Sequence, residues 1–597
     1  MAEKITTLEK FRQAKNIEDL AQILGYTPKS LSFIIYILSP EKKYYSFEIR
    51  KRNGGTREIL RPHYKLKLLQ SILSQKLYEC LLDKNNLENR PNSFSHAFQR
   101  GRSITTNARQ HRNKKWVFNT DLEDFFGTIN FGRVRGALIK DKSFLFNEAV
   151  ATIIAQIACF NNKLPQGAPT SPVISNIVAR SLDIKLVGLA AKFGCTYTRY
   201  ADDITFSTNK EHFPKEIANP LTIDGDEWTS SERLKKTFIE SGFKENESKT
   251  RMQYRRGRQV VTGLIVNKRI NVTREYRKNV RIMVRAFCNK GTFFLHKTLE
   301  HRAKNKKKSS RQAANNTKIL QGMLGFIDTI DIYSDKSALQ LSKEDYENKK
   351  NKSFKTNELK SQEKLYKKFL LHVNFFKASN LTIVTEGKSD NIHLREAIKS
   401  IGHIFHDLSA KNPNGDNQPL FRVITCEPRR TNALLGLCGG VSDMGNFARD
   451  YSEEKEMKFE WQLTGEITHP VIMLLDNDKG WETFKKKCGN KQPKEISECL
   501  YHMRGNLYIV LTPLNGKKES SIEDMYSDDV RNIKLDGKSF DPSNDIKDTG
   551  NHYGKIVFAE KIIKSKNHNI NFNNFIFIFN KFNEAKTHWL TQDRRFH

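Results

Sequence analysis

Two adjacent aspartates between two strand-like runs restrict the fold more than any other feature of this sequence. Residues 196–199 and 204–207 are rich in β-branched and aromatic side chains, so both runs favour β-strands. The tetrapeptide Tyr200-Ala201-Asp202-Asp203 would then form the apex of a hairpin. Two carboxylates this close repel each other unless a cation or a proton separates them. The pair predicts a divalent-metal site, although an isolated Asp-Asp is also compatible with a solvated turn.

Length and charge indicate several domains and a polyanionic partner. The chain has 597 residues, more than one ordinary hydrophobic core accommodates. Its 101 Lys and Arg against 67 Asp and Glu give a formal charge of +34, which favours nucleic acid over an anionic membrane as partner. The start of the chain lacks an apolar signal segment, and no apolar run reaches transmembrane length. We therefore expect a soluble, cytoplasmic protein without a membrane partner.

A third acidic position precedes the aspartate pair. Asp121 follows the strand-like run at 116–120, and alone it would equally be a strand-end cap. On a strand beside Asp202 and Asp203, it would complete a two-metal site for nucleotidyl transfer. Between these positions, Pro165-Gln166-Gly167 fixes the backbone where a nucleotide or template must approach closely.

The motifs at 121–126, 165–167 and 200–203 resemble those of reverse transcriptases in order and spacing. Residues 54–59 with Pro62 resemble the fingers motif of that family, and residues 242–251 resemble its palm lysine motif. The resemblance covers residues 40 to 335 and implies a right-hand fold of fingers, α+β palm and thumb.

The same resemblance implies a role for each matching residue. The catalytic metal ligands, for Mg²⁺, would be Asp121, Asp202 and Asp203. The deoxynucleoside triphosphate would contact Lys51 or Arg52, together with Arg57 and Gln166. Lys249 would act near the leaving pyrophosphate, although solvated lysines are common. Phe126 would exclude a ribose 2′-hydroxyl, which opposes an RNA-dependent RNA polymerase, or would simply belong to the core.

Two short motifs resemble elements of retron reverse transcriptases in particular. They are Asn107-Ala108-Arg109-Gln110-His111 and Val261-Thr262-Gly263. The candidates for RNA recognition are therefore Asn107, His111, Val261, Thr262 and Gly263. The resemblance implies a cognate structured non-coding RNA as template and primer, with synthesis from an internal guanosine 2′-hydroxyl. The product would be a branched RNA-DNA molecule, multicopy single-stranded DNA (msDNA).

A second acidic site is predicted in the C-terminal half. The apolar runs at 381–384 and 471–475 each lead into an acidic residue, as buried parallel strands of an α/β sheet do. Glu386 follows the first run, where Ser389 or Asp390 can also act as a helix cap. Asp476 and Asp478 follow the second run at alternate positions, so they share one side of an extended chain.

Glu386, Asp476 and Asp478, with Gly439-Gly440 between them, resemble the Toprim domain of topoisomerases, primases and nucleases. The resemblance implies Mg²⁺-dependent phosphodiester chemistry on a DNA or RNA target, with Glu523 as a further acidic element and Lys555 as a phosphate contact. A nuclease is preferred because no strand-cleaving tyrosine domain is evident. The alternative is a non-catalytic module for nucleic-acid binding or assembly.

The expected chain is a multidomain α/β protein: a right-hand reverse transcriptase followed by a Rossmann-like α/β Toprim domain. The predicted parts are a helical cap at 1–40, fingers and palm at 41–265, a basic helical thumb at 266–335, a charged linker at 336–372 and the Toprim domain at 373–597, with its core at about 380–530. Residues 570–579 are strongly β-prone, which predicts a strand that is buried or that joins copies of the chain in a homo-oligomer. A polymerase fused to a toxic hydrolase suggests a role in bacterial defence against phage.

Overall fold

The computed structural model describes most of the chain. The described residues are 5–50, 55–88, 94–222, 227–295, 312–314, 316–339, 352, 358–452, 468–543, 550–565 and 570–592. The chain divides into two units, the first containing the residues up to Tyr276 and the second containing most residues from Arg277 onward. Within the described ranges, no helix has the length and apolar character needed to cross a membrane.

The first unit combines helices with short sheets. Its helices are α1 (Thr7–Gln13), α2 (Ile17–Leu24), α3 (Pro28–Ser32), α4 (Pro40–Lys43), α5 (Tyr64–Glu88), α6 (Ile104–Gln110), α7 (Phe131–Lys140), α8 (Glu148–Ala158), α9 (Ser171–Lys192) and α10 (Glu232–Glu240). Its strands are β1 (Tyr44–Arg50), β2 (Thr56–Pro62), β3 (Trp116–Asp121), β4 (Thr196–Tyr200), β5 (Asp203–Thr208), β6 (Ala218–Pro220), β7 (Trp228–Ser230), β8 (Arg251–Tyr254), β9 (Val260–Val261) and β10 (Leu264–Ile265).

A four-stranded antiparallel sheet with the order β4-β5-β3-β8 forms the centre of the first unit. The strands predicted on both sides of Asp202 and before Asp121 are confirmed as β4, β5 and β3. Phe118 on β3 and Phe206 on β5 are fully buried, and α9 adds Leu182 and Leu186 to the same core. Burial of these apolar side chains fixes which residues of the sheet face inward, because a shift of one residue would reverse the faces.

Among the described residues, three two-stranded antiparallel pairs accompany this sheet: β1–β2, β6–β7 and β9–β10. β1 pairs with β2, so that Phe47 faces Ile59 and Ile49 faces Arg57. β9 and β10 pair through Val261 and Leu264, which leaves Thr262-Gly263 as a two-residue turn. Thr262 has φ 45° and Gly263 has φ 81°. Positive φ at both turn positions is typical of the tight turns whose twist matches that of the flanking strands.

The second unit is an α/β unit with additional helices. Its helices are α11 (Arg274–Lys290, from Arg277), α12 (Thr317–Leu339), α13 (Ser361–Leu371), α14 (Lys388–Ile401), α15 (Arg430–Leu435), α16 (Val441–Ser452), α17 (Lys479–Cys488), α18 (Asp528–Arg531), α19 (Lys555–Val557) and α20 (Phe575–Thr591). Its strands are β11 (Phe293–Leu295), β12 (Gln312–Ala314), β13 (Leu381–Thr385), β14 (Ser409–Lys411), β15 (Asn417–Pro419), β16 (Phe421–Thr425), β17 (Val471–Leu475), β18 (Lys494–Ser497), β19 (Leu500–Arg504), β20 (Leu507–Leu511), β21 (Ser539–Phe540) and β22 (His552–Tyr553).

Six strands of the second unit form one mixed sheet with the order β16-β13-β17-β20-β19-β18. β16, β13, β17 and β20 are parallel, whereas β19 and β18 extend the sheet in antiparallel fashion. The predicted parallel strands at 381–384 and 471–475 are thus confirmed as neighbours. Every residue of β13, β17 and β20 is buried, as parallel strands covered on both faces require.

The prediction of a strand at 570–579 is wrong, because residues from Phe575 onward form the helix α20. The buried residues of α20 recur at helical spacing over its whole length: Phe575, Ile578, Phe579, Phe582, Ala585 and Trp589. The apolar run at 575–579 favours a strand only when it is read in isolation. Over the longer window the period of 3.6 residues decides the structure, and the apolar side of α20 is buried within the chain.

In chain order, α11, α12 and α13 lie between the strands of the two main sheets, and they differ from the expected thumb and linker. α11 from Arg277 and α12 up to Ile332 belong to the second unit. Residues 361–371 of the expected linker form α13, in which Leu365 and Phe369 are buried. Ring contacts join Phe287 of α11 to Phe369 and His372, at centroid distances of 6.1 and 5.7 Å.

Candidate active sites

The ends of β3 and β5 bring three aspartates together in the first unit. Asp121 lies opposite Asp203 in the register of the two strands. Asp202 precedes Asp203 in the turn that joins β4 to β5, and its carbonyl oxygen accepts a hydrogen bond from the backbone N–H of Leu122 at 3.1 Å. Strand pairing, rather than side-chain contact alone, therefore sets the arrangement of the three carboxylates.

The turn before the aspartate pair has an unusual backbone. Ala201 has φ 58°, in the left-handed region that residues with a Cβ seldom adopt, and it is buried. Neighbouring groups must hold such a conformation in place. One of them is Arg199, whose Nη1 donates a hydrogen bond to the Ala201 carbonyl oxygen at 3.0 Å.

Burial raises the proton affinity of Asp202 and Asp203, and neighbouring carboxylates add to the rise. Asp203 is exposed as a residue, yet the protein around its carboxyl displaces water and raises its pKa to about 7, with Asp202 and Asp121 adding to the rise. Burial and the Asp121 carboxylate also raise the pKa of Asp202. Burial and the neighbouring negative charges both favour the protonated carboxyl, and a nearby positive charge would offset them.

Lys249 supplies one such charge. Its Nζ lies 2.7 Å from Oδ1 of Asp121, and the Lys249 side chain is about half exposed. Burial lowers the pKa of Lys249, but the hydrogen bond to Asp121 and the other aspartates outweigh this effect and raise it. The structure thus places Lys249 directly at the aspartate cluster, where the sequence predicted it.

Glu245 anchors the loop that carries Lys249. Its Oε1 accepts hydrogen bonds from the hydroxyls of Thr120 on β3, Ser230 on β7 and Thr250, at 2.6, 2.7 and 2.7 Å. The backbone N–H of Asn246 donates to the carbonyl oxygen of Asp121 at 2.8 Å. These contacts tie the lysine loop to the end of β3.

The predicted nucleotide-contacting residues are only partly brought to the site. The backbone carbonyl of Gln166 accepts from the N–H of Leu60 on β2 at 2.8 Å, which docks the 165–167 loop on the β1–β2 hairpin. Gly167 has φ 121°, and a Cβ there would lie 2.8 Å from the Leu60 carbonyl oxygen. Arg57 on β2 is exposed and lowers the pKa of Asp202, so its charge reaches the aspartate cluster. Lys51 and Arg52 lie outside the described residues.

Phe126 is half-buried in the segment that follows Asp121. Its ring contacts those of Phe125 and Phe98, at centroid distances of 5.4 and 6.2 Å. Phe98 has φ 57° and is partly exposed. Phe126 is therefore fixed from two sides by aromatic packing while part of its ring faces outward.

The two retron-like motifs lie against each other, but most of their side chains are internal. Asn107 on α6 and Thr262 in the β9–β10 turn face each other, with 3.5 Å between Nδ2 and Oγ1. Asn107, His111 and Val261 are buried, which leaves Thr262 half-buried and Gly263 exposed. In this structure direct RNA contact is thus open to the Thr262-Gly263 turn but not to the three buried side chains.

His111 joins the two strands that flank the aspartate turn. Its Nδ1 and Nε2 are each 2.7 Å from a hydroxyl, that of Ser207 on β5 and that of Thr198 on β4. Burial lowers the pKa of His111 to about 3, with Lys114 and His96 contributing. The imidazole therefore remains neutral and acts as a cross-strand brace.

Sequence reasoning missed a buried ion pair below the site. Arg199 Nε and Nη2 donate to Oδ1 and Oδ2 of Asp183 on α9, both at 2.7 Å, and both side chains are almost fully buried. Burial lowers the pKa of Arg199, but the Asp183 carboxylate outweighs it and raises the pKa. The sequence offered little signal for this pair, because its members lie on different elements and neither belongs to a recognised motif.

The second candidate site lies at the carboxyl ends of the parallel strands. Glu386 follows β13, and Oε1 of Glu386 would lie 3.2 Å from a Cβ at Gly440, which has φ 64°. Asp476 follows β17, and its Oδ1 accepts from the N–H of Ile522 at 3.0 Å. Asp478 is exposed and caps α17, because its Oδ1 accepts from the N–H of Gly480 at 2.7 Å. Burial raises the pKa of Glu386, and the Asp478 carboxylate adds to the rise.

Glu523 and Lys555 join the same cluster. Lys555 Nζ lies 3.2 Å from Glu523 Oε2 and 3.7 Å from Asp476 Oδ2. Burial lowers the pKa of Lys555, but the carboxylates of Glu523 and Asp476 outweigh it and raise the pKa. Burial also raises the pKa of Asp476 well above its usual range, with Asp390 and Glu523 contributing. The structure thus brings both residues to the site that the sequence predicted around Asp476.

Asp390 belongs to this cluster in addition to capping its helix. Its Oδ2 accepts from the N–H of Gly387 at 2.9 Å, as a cap does. Burial raises the pKa of Asp390 to about 7, although that hydrogen bond lowers it, and Glu523 contributes to the rise. Interpretation of Asp390 as a helix cap alone missed its membership of the acidic cluster. The position of Asp390 four residues after Glu386 was the signal that could have revealed it.

The described residues contain no ready-made cage of three His, Cys, Asp or Glu side chains around one metal ion. At both sites a lysine instead contacts the carboxylates, Lys249 in the first unit and Lys555 in the second. Carboxylate oxygens are nevertheless the ligand type that Mg²⁺ prefers. At the second site, Oε1 of Glu523 is buried without a hydrogen-bond partner among the described residues, while Oε2 pairs with Lys555 at 3.2 Å.

Comparison with known proteins supports a reverse transcriptase in the first unit. Residues 49–278 match the model of the family described as reverse transcriptase (RNA-dependent DNA polymerase). This range contains the three aspartates, Lys249 and the retron-like motifs, and it ends near the boundary of the first unit.

The similar curated proteins are retron enzymes. The chain is 35% identical over 292 residues to the retron Mx65 reverse transcriptase of Myxococcus xanthus, covering 45% of this chain and 62% of that protein. It is 29% identical over 283 residues to the retron Ec86 reverse transcriptase of Escherichia coli, covering 47% of this chain and 81% of that protein. These matches support a retron-type reverse transcriptase, and the chain spans less than two thirds of the Mx65 protein.

Among solved structures, an apo telomerase from Candida tropicalis matches with a TM-score of 0.26 and 12% identity. The match covers 40% of this chain and 56% of that chain. Similarity at this level adds nothing to the assignment.

Proposed function

We propose that the first unit is an RNA-directed DNA polymerase that adds deoxynucleotides to a growing strand. The observation that carries the proposal is the arrangement of Asp121 opposite Asp203, with Asp202 in the adjoining turn, inside the range that matches the reverse transcriptase family. Carboxylates fixed at strand ends, with raised pKa values at Asp202 and Asp203, suit the binding of divalent cations at a nucleotidyl-transfer site.

In this proposal Asp121, Asp202 and Asp203 would hold Mg²⁺, which would have to displace the Lys249 ammonium from Asp121. Bound Mg²⁺ would neutralise phosphate charge and favour deprotonation of the attacking hydroxyl. Lys249, once released, would remain close enough to contact the leaving pyrophosphate. Arg57 would bind the triphosphate, Gln166 would line the nucleotide pocket, and the exposed part of Phe126 would exclude a ribose 2′-hydroxyl.

The template in this proposal is a cognate structured non-coding RNA, copied from an internal guanosine 2′-hydroxyl into msDNA. Similarity to the retron enzymes supports it, as do the Asn107–His111 and Val261–Gly263 motifs. We propose that the exposed Thr262-Gly263 turn takes part in RNA contact, whereas Asn107, His111 and Val261 support it from inside.

Asp202→Asn and Asp203→Asn should each reduce complementary-DNA synthesis on a primed RNA template to background. Asp124→Asn is the matched control, because Asp124 is an exposed carboxylate near Asp121. Sequencing of the nucleic acid that co-purifies with the wild-type chain from its host should reveal a short branched RNA-DNA species. Persistent synthesis by the Asp202 variant would refute the polymerase assignment, and faster incorporation of ribonucleotides than of deoxynucleotides would favour an RNA polymerase.

For the second unit we propose a metal-dependent, Toprim-like nuclease acting on DNA or RNA. This proposal rests on one observation: Glu386, Asp476 and Glu523 converge with Lys555 near the ends of the parallel strands. Mg²⁺ would be held by Glu386, Asp476 and Asp478, with Glu523 and Asp390 close by, and would activate phosphodiester hydrolysis when bound. The unpartnered Oε1 of Glu523 fits this donor set.

Asp476→Asn should abolish Mg²⁺-dependent cleavage of nucleic acid by the full chain and leave complementary-DNA synthesis unchanged. Glu498→Gln, a change at an exposed carboxylate on the loop between β18 and β19, is the control. Cleavage that persists in the Asp476 variant would exclude this acidic cluster as the nuclease site, and absence of cleavage by the wild-type chain would favour the alternative, a non-catalytic module for binding or assembly.

We further propose that the two activities act together in the bacterial cytoplasm against phage, with the RNA-DNA product restraining the nuclease. Expression of the wild-type chain without its cognate RNA should then slow bacterial growth, and Glu386→Gln should restore growth. Light scattering of the purified complex would establish whether the active species is a homo-oligomer. Toxicity that survives Glu386→Gln would exclude the second acidic site as the effector.

A further inference from the structure

The buried guanidinium of Arg199 contacts three segments of the proposed polymerase site. Through Asp183 it is tied to α9, the helix that follows the 165–167 loop. Through Nη1 it holds the carbonyl oxygen of Ala201, immediately before the aspartate pair. Its Cζ also lies 5.6 Å from the ring centroid of Phe125, which neighbours Phe126 in the segment that Asp121 opens.

The contacts around this guanidinium are directional. Nε and Nη2 form a two-pronged contact with the Asp183 carboxylate, so the plane of the guanidinium is fixed. Nη1 then points at Ala201, while Nη2 also reaches Oδ1 of Asn176 at 3.3 Å and Oγ of Ser95 at 3.4 Å. A lysine ammonium has no such planar fork and cannot reproduce these contacts together.

We propose that Arg199 is a positioning residue for the polymerase site: its guanidinium holds the left-handed turn at Ala201 and thereby sets Asp202 and Asp203 against Asp121. The inference rests on the proposed polymerase function. Arg199 lies too deep to touch a nucleotide or a metal ion, so it acts only through the turn. Because reactivity depends steeply on the placement of reacting groups, a small movement of this turn reduces turnover more than substrate binding.

The test compares primer extension on a homopolymeric RNA template, which requires no cognate RNA. Arg199→Lys should lower kcat for deoxynucleotide addition about 10- to 100-fold and leave KM for the nucleotide within about 2-fold, because Arg57 and Gln166 remain in place. Tyr197→Phe is the matched control: it removes a hydrogen bond of 2.7 Å to the same Asp183 carboxylate but leaves the Arg199 fork intact. Its kcat should stay within about 2-fold of that of the wild type.

A paired substitution separates positioning from simple stability. Arg199→Met alone leaves the Asp183 carboxylate buried without a counter-charge, so it should lower the Tm of the first unit. Arg199→Met combined with Asp183→Leu removes both charges and should recover most of that loss, since apolar pairs commonly replace buried ion pairs without destabilisation. Turnover should remain low in this double variant, because nothing then holds the Ala201 carbonyl.

Several outcomes would overturn the inference. Wild-type kcat in Arg199→Lys would do so, as would recovery of Tm and kcat together in the double variant. If neither variant folds, as judged by circular dichroism, Arg199 is a folding residue and the positioning role is rejected. Failure of the wild-type chain itself to extend the primer would instead refute the proposed polymerase function.

Discussion

Each candidate site contains a carboxyl group whose pKa lies well above the usual range. The protein environment raises the pKa of Asp203 to about 7 in the first unit and that of Asp390 to about 7 in the second. In each unit a lysine, Lys249 or Lys555, offsets part of the repulsion between neighbouring carboxylates. Both sites are therefore electrostatically prepared to accept additional positive charge.

The buried imidazole of His111 should make the first unit sensitive to mild acid. Its pKa falls to about 3 through burial, whereas a histidine in the unfolded chain has a pKa of about 6.5. Below pH 6.5 the unfolded chain therefore binds a proton that the folded chain rejects. This one group should reduce the free energy of unfolding by about 1.4 kcal/mol for each pH unit of acidification.

The variant His111→Gln tests this pH dependence. It should be less stable than the wild type at pH 7.5, but its stability should fall less steeply between pH 6.5 and 5.0. Urea unfolding at several pH values measures both quantities. Equal slopes in the two proteins would show that His111 does not resist protonation.

The conformation of the short β9–β10 turn depends on the exposed Gly263. The β9–β10 turn requires positive φ at Gly263, where a Cβ would meet no atom within 4 Å. Gly263→Ala should thus be destabilising through backbone strain alone, by about 1–2 kcal/mol. Gly257→Ala is the matched control, because Gly257 has no positive φ and its Cβ would have an ordinary contact of 3.6 Å. Urea unfolding should separate the two variants, and equal stability would argue against strain at Gly263.

The helix α11 presents one basic face. Arg274, Lys278, Arg281 and Arg285 recur at helical spacing and are exposed, opposite the buried Val280, Val284 and Phe287. Such a stripe favours contact with successive phosphates of a duplex.

Removal of two charges from this face should weaken the binding of an RNA-DNA duplex. For Lys278→Gln with Arg281→Gln, the slope of log affinity against log salt should decrease by about two, one for each lost phosphate contact. Lys399→Gln with Lys411→Gln changes the net charge equally at exposed positions of the second unit and serves as control. Filter binding between about 50 and 200 mM salt measures the slope. An identical slope in both double variants would mean that α11 does not contact the duplex.

Local signals in the sequence were sufficient for the strands that carry the acidic residues. β-branched runs predicted β4 and β5 around Asp202, and the apolar runs before Glu386 and Asp476 predicted parallel strands. The helix α20 was missed because its first five residues also satisfy a strand pattern, and only the longer period reveals the helix. The Arg199–Asp183 pair could not be predicted, since tertiary packing alone brings β4 and α9 together.

At the scale of the whole chain, the packing of α11 and α12 depends on residues much later in the sequence. Arg430 of α15 forms a two-pronged contact with Asp328 of α12, at 2.6 and 2.8 Å, and it also pairs with Glu363 of α13. Arg277 of α11 pairs with Asp331 of α12. These buried and half-buried ion pairs fix both helices within the second unit.

A chain ending at residue 338 should therefore fold poorly. Truncation removes Phe369 from Phe287 and Arg430 from Asp328, which leaves an apolar ring and a carboxylate without their partners. The truncated chain should have a lower Tm than the full chain and bind more of a hydrophobic dye. Full-length Asp476→Asn is the control, because it removes the proposed nuclease activity while retaining the packing. A truncated chain as stable as this control would contradict the dependence.

The attachment of α11 and α12 to the second unit also bears on how such a gene can change. A deletion that discards the C-terminal half would remove the partners of two helices that precede it, and the proposed thumb would lose its support. Replacement of that half by an unrelated effector would require new partners for Phe287 and Asp328 at the same time. The helices α11 and α12 are thus expected to be inherited together with the second unit, and successful exchanges between relatives should have their breakpoints before α11 rather than after α12.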